Sequence, residues 1–163
     1  MDGLTASMQR ETRSSLRAFT LIEAVCVLVI MAALVGVAAP RYAASLERYR
    51  LDLAARRIVS DLAYAKTHAR RTSTTVKLTF DTSTDRVLGT GLPQPGKPGE
   101  SYSLSLGDDP FLVGFSGVDL GGDVAIVFNG YGDPDSGGQI KLIAGSRELI
   151  IDVDPTTGQG VIQ

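Results

Sequence analysis

The 163-residue chain has room for one modest domain and an accessory segment, not for two independent cores. Its formal net charge of −2 gives no overall basic excess of the kind that nucleic-acid binding asks for. A single cysteine, Cys26, and a single histidine, His68, exclude an internal disulfide and a clustered Cys/His zinc site, and any Ser-His-Asp or Cys-His catalysis has to run through His68.

In chain order, a polar segment from Met1 to Ala18 carries Arg10, Arg13 and Arg17. An apolar run follows, from Phe19 to Ala39, with Glu23 as its one charged residue. About 20 such residues span the hydrocarbon of a bilayer as a helix. A secretory signal peptide is the plainer reading, because Val37-Ala38-Ala39 resembles a small-residue cleavage site. Glu23 inside the run and Pro40 directly after the would-be cut speak against it. A carboxylate in a bilayer costs a few kcal/mol, so Glu23 either snorkels to the headgroups or is kept for a partner.

The junction Arg17-Ala18-Phe19-Thr20-Leu21-Ile22-Glu23 resembles the start of type IV prepilins, with Ala18 where that family usually has glycine. The resemblance implies cleavage by a prepilin peptidase between Ala18 and Phe19, and N-methylation of Phe19. It further implies an assembly role for Glu23, the partner of a neighbouring subunit's Phe19 amine, and a helix bend at Pro40. Counting charges points the other way on topology. Three arginines precede the span, whereas Arg41, Arg48, Arg50, Arg56 and Arg57 follow it, which favours the opposite orientation under the positive-inside rule. The cleavage motif is taken to decide.

Beyond Pro40, Leu51, Ala55, Ile58, Leu62, Ala65 and Ala69 recur in steps of four and three, one stripe of an amphipathic helix. Arg50, Arg56, Arg57, Asp61, Lys66 and Arg70 are assigned to its opposite faces. A helix from Phe19 to Arg71 would be about 75–80 Å long. The arginines, interleaved with Asp52 and Asp61 and lacking an aromatic platform, read as a solvated or subunit-contacting face rather than a nucleic-acid surface. His68 reads as a surface residue, with no nucleophile or carboxylate placed to use it.

After Arg71 the pattern becomes β-prone. Candidate strands are 74–80, 86–88, 102–106, 111–115, 124–128, 139–143, 148–153 and 160–162, with Gly89–Glu100 read as a loop. This section is similar to the GspH/FimT pseudopilins, in Leu62–Lys66 through Val76-Lys77-Leu78, in Ile126–Gly130, in Gly137–Ile140 and at Thr157-Gly158. Asn129, Asp133 and Asp135 offer oxygen ligands in a Gly-rich segment, but the spacing of an EF-hand is absent, and a hairpin loop is the expectation. Asp152 and Asp154 flank Val153 and are expected on one solvated strand face. GxSxG, HExxH and phosphate-binding glycine motifs are absent from the sequence.

The expected fold is therefore α+β and pilin-like: a long N-terminal helix, transmembrane and then amphipathic, packed on antiparallel sheets. Its divisions are a prepilin leader (1–18), a transmembrane and filament-core helix (19–40), an amphipathic continuation (41–71) and a periplasmic β-rich domain (72–163). The resemblance implies a non-enzymatic minor pseudopilin of a type II secretion system, single-pass in a bacterial inner membrane. Its partners would be other pilins or pseudopilins, the prepilin peptidase and the membrane, with no metal or other cofactor and nucleic acid not expected. A DNA-binding minor pilin of a type IV pilus or competence system is the alternative.

Overall fold

The computed structural model describes residues 20–163. Helix α1, Leu21–Thr72, runs through Pro40 without interruption, as the sequence pattern anticipates. The chain divides into two units with the boundary after Pro40. In the first, Leu21, Ile22, Leu28, Val29, Ile30, Met31, Leu34 and Val35 are all exposed. Apolar side chains on every face give the helix no preferred side to bury.

The second unit holds the core. All six stripe residues, Leu51 to Ala69, are buried, joined by Ala54. Four of these seven helix residues are alanines, whose small side chains let sheet residues approach the helix axis. The helix stops because Ser73 takes a left-handed φ of 52° and Thr74 N donates back to Ala69 O at 3.2 Å, a Schellman-type end.

Eight strands follow: β1 (Val76–Asp81), β2 (Arg86–Gln94), β3 (Lys97–Ser105), β4 (Gly114–Leu120), β5 (Ala125–Phe128), β6 (Gly138–Ala144), β7 (Arg147–Val153) and β8 (Gly160–Ile162). They form two four-stranded antiparallel sheets, ordered β3-β2-β1-β5 and β4-β6-β7-β8. Val76, Leu78 and Phe80 alternate inward on β1; Ile140, Leu142 and Ala144 do so on β6. Both sets join the helix stripe in one hydrophobic core, with Tyr102, Phe115, Phe128 and Ile151. This is the α+β arrangement expected from the sequence.

Three expectations are corrected. Gly89–Glu100 is not a loop but most of the β2–β3 hairpin. The prolines and glycines are absorbed by register shifts around Pro93 and by positive φ at Gly91, Gly96 and Gly99. At Gly91 a Cβ would lie 2.8 Å from the Thr75 carbonyl oxygen, so the strand needs glycine there. The strand expected at 111–115 begins only at Gly114. Phe111 N and Leu112 N turn back onto Asp108 O, and Asp85 Oδ1 accepts from Phe115 N at 2.8 Å. The segment 129–137 is not a hairpin loop, because β5 and β6 belong to different sheets.

Candidate functional site

The N-terminal unit carries the motif residues. Thr20 stands just before α1, and its Oγ1 accepts from Glu23 N at 3.3 Å, the first half of a Thr-x-x-Glu capping arrangement. Glu23 thus lies in the first helical turn, where a negative charge suits the helix dipole. Ala18 and Phe19 lie outside the described residues. Pro40 is helical. The part of α1 around Glu23 is long and apolar enough to cross a membrane by length and composition, and Cys26 is exposed on it. Lipid or other apolar helices offer such a surface a favourable environment.

The remaining candidate residues turn out to be engaged in building the fold. Asn129 Oδ1 accepts from Tyr131 N and Asp133 N, both at 2.9 Å, and Asp135 Oδ1 accepts from Val127 N at 2.9 Å. These oxygens stabilise the connection between the sheets, and no group of three or more His, Cys, Asp or Glu side chains able to hold a metal occurs among the described residues. Asp152 lies on β7, whereas Asp154 is beyond its end and caps the following turn, accepting from Thr156 N and Thr157 N at 2.8 and 2.7 Å. The two therefore do not share a strand face. The same hydrogen bonds hold the Asp154 carboxyl below the usual carboxylate range. His68 is half-buried, its ring centroid 6.1 Å from that of Tyr64.

Asp61 corrects the helix reading. It is buried, at 4% exposure, not solvated. Its position falls one helical heptad after Ala54 and one turn before Ala65, so the apolar stripe is wider than the six residues suggest and Asp61 lies on its border. Arg57 Nε approaches Asp61 Oδ1 to 3.2 Å, and Arg57 Nη2 donates to Tyr102 Oη at 3.5 Å. Asp61 Oδ2 has no hydrogen-bond partner among the described residues. Burial pushes the Asp61 carboxyl up, against the pull of Tyr102 and Arg57, and burial also pushes the Tyr102 phenol up. The arrangement is a buried carboxylate paired with a half-exposed guanidinium, with a buried phenol beside them.

A second feature is visible only in three dimensions. Arg70 and Tyr131, the latter 84% exposed, line one open cleft with Ser73 and Gly130. Tyr131 thus shares a cleft with an arginine of the helix. Lys66, on the same helix, is occupied, donating to Thr157 O at 2.7 Å.

A family model described as "Type II transport protein GspH" matches residues 54–157. Among solved structures, the chain is similar to the type IV minor pilin FimU of Pseudomonas aeruginosa, with a TM-score of 0.49 and 13% sequence identity over 72% of this chain and 90% of that one. No curated protein matches the sequence.

Proposed function

The chain belongs to the GspH family of type II transport proteins, and from that premise we propose that it is a minor pseudopilin supporting protein secretion as a structural subunit, not an enzyme. The observation that carries the proposal is the join between two pieces. A family domain beginning within α1 is continuous with a helix that is apolar on all sides and carries one acid, Glu23, in its first turn.

In this reading a prepilin peptidase removes residues 1–18, Phe19 is methylated, and α1 anchors the subunit in the inner membrane with residues 72–163 in the periplasm. Assembly transfers the apolar surface from lipid to the helices of neighbouring subunits. Glu23, costly in hydrocarbon by a few kcal/mol, is neutralised by a neighbour's Phe19 amine. The test is Glu23→Val. The variant is expected to insert and be processed normally but to be missing from sheared filaments, with secretion of the system's substrates reduced. Incorporation at the wild-type level would overturn the assembly role.

The Arg70–Tyr131 cleft supports a second reading, a DNA-binding minor pilin, because a cation beside an exposed aromatic suits a phosphate and a base. Asp154 and its turn lie against Lys66, one helical turn away, which weakens that field. A mobility-shift assay at low and physiological salt separates the two, since only the second predicts a salt-sensitive shift lost in Arg70→Gln.

A further inference from the structure

The five arginines after the span, which run against the positive-inside count, are not equivalent in the structure. Arg56 pairs with Asp52 at 2.8 Å and Arg57 with Asp61 at 3.2 Å. Arg41, Arg48 and Arg50 have no carboxylate partner among the described residues. Arg41 and Arg48 are exposed, and so are Tyr42, at 73%, and Tyr49, at 64%.

Helical spacing gathers these residues. Arg41 and Arg48 are seven apart, as are Tyr42 and Tyr49, and Ser45 falls between the two pairs, so the five share a band about 120° wide. Ser45, Arg48 and Tyr49 line a cleft of about 460 Å³ together with Arg147, the first residue of β7. Arg147 lies 4.0 Å from Glu47, which offsets its charge in part; Asp52, also at the cleft, is taken by Arg56.

We propose that this band is a docking surface for the anionic phospholipid headgroups of the membrane in which the unassembled subunit is anchored. The inference rests on the reading of the apolar run as a membrane span. Arg41 and Tyr42 are the first two residues after Pro40, and Tyr49 follows within about 14 Å of helix rise. Helical side chains lean toward the helix N-terminus, so Arg48 and Tyr49 lean toward Arg41 and Tyr42. Tyrosines with an apolar body and a wet tip belong at the headgroup level, and unpaired arginines there attract anionic lipid. A lipid surface is favoured over a protein partner because the band follows the span directly in the chain. Each arginine near an anionic surface contributes roughly a factor of five in partitioning, so Arg41 and Arg48 together contribute roughly 25-fold. Extraction into a filament would have to break this contact.

The chain has no tryptophan, so a single one reports cleanly. The full chain carrying Tyr49→Trp is reconstituted in vesicles of phosphatidylcholine alone or mixed with phosphatidylglycerol, with a headgroup spin label as quencher. Carbonate resistance is measured on the same samples. The expected result is a blue-shifted emission and strong quenching with phosphatidylglycerol. Both should fall to the phosphatidylcholine level when Arg41→Gln and Arg48→Gln are added, and at high salt, while a chain carrying Tyr131→Trp instead stays unquenched throughout. A carbonate-resistant Tyr49→Trp chain whose emission is unquenched, or is quenched regardless of lipid charge, overturns the docking proposal and leaves the anchor intact. Blue-shifted but unquenched emission that depends on protein concentration also overturns it, and assigns the band to a second copy of the chain. A chain that carbonate extracts overturns the anchored reading itself, and the docking proposal with it.

Discussion

Replacing Arg57 with methionine leaves the Asp61 carboxylate buried without its cation. At the observed 3.2 Å and an effective dielectric of about 20, the pair attracts by about 5 kcal/mol. The Arg57 side chain is 42% exposed, and solvent screening at that end reduces the usable attraction to about 2–3 kcal/mol. Arg57→Met is therefore expected to destabilise the protein by about 2–3 kcal/mol at neutral pH. Asp61→Asn, which removes the buried charge and keeps the shape, should change stability by about 1 kcal/mol or less. The double variant Arg57→Met/Asp61→Leu should recover most of the loss, because an apolar pair of similar volume has no charge to desolvate.

The pH dependence has a defined sign. The folded carboxyl of Asp61 is raised above its unfolded value, so between the two values the native state binds more protons than the unfolded state. Its contribution is most favourable on the acid side and declines as pH rises through the folded value. Arg57→Met removes an interaction that favours the charged form, so its deficit should be largest at neutral pH and narrow on acidification. The assay is urea unfolding of the full chain in non-ionic detergent, followed by tyrosine fluorescence across a pH series. Equal losses for Arg57→Met and Asp61→Asn, or a deficit that grows on acidification, would refute the reasoning.

Other perturbations give equally definite outcomes. Leu62 is fully buried between helix and sheets, and Leu62→Ala should cost about 2–5 kcal/mol in the same unfolding assay. Asp81, at the end of β1, accepts from Ser83 and Thr84 backbone and hydroxyl groups, which lower its carboxyl to about 2. Its stabilisation should be complete above the unfolded carboxylate value, be lost as pH falls from there toward about 2, and be missing at every pH in Asp81→Ala. At Gly138, with φ of 152°, an added Cβ would collide with the Asp119 carbonyl across the β4–β6 ladder. Gly138→Ala should therefore lower the unfolding midpoint by more than an alanine substitution at the open Gly122, where only the backbone φ of 90° is strained.

The helix and most strands are legible in the sequence because period carries that information directly. Leu51 through Ala69 repeat at helical spacing and are all buried. Val76, Leu78 and Phe80 alternate and face inward. The β2–β3 hairpin is hidden because its inward residues change phase. Val87 and Leu92 both face the core, but the odd-to-even step between them occurs at the Gly91 irregularity. Local composition reads the glycines and prolines as a loop, whereas pairing of Gly89 and Thr90 with β1, and of Pro93 and Gln94 with β3, decides the outcome. Asp61 is misplaced when charge is treated as a sufficient sign of solvent; Ala54, seven residues before it, carries the signal that this edge of the helix is covered. The Arg70–Tyr131 and Arg48–Arg147 clefts join residues 61 and 99 positions apart and leave no trace in local pattern.

The membrane anchor and the filament role both turn on the fate of the N-terminus. Intact mass and N-terminal sequence of the membrane-purified protein, produced with and without a prepilin peptidase, test it directly. A mature chain that begins at methylated Phe19 is expected only when the peptidase is present. A chain beginning at Pro40 or beyond would show that the apolar run is a signal peptide, and would contradict both the membrane anchor and the filament.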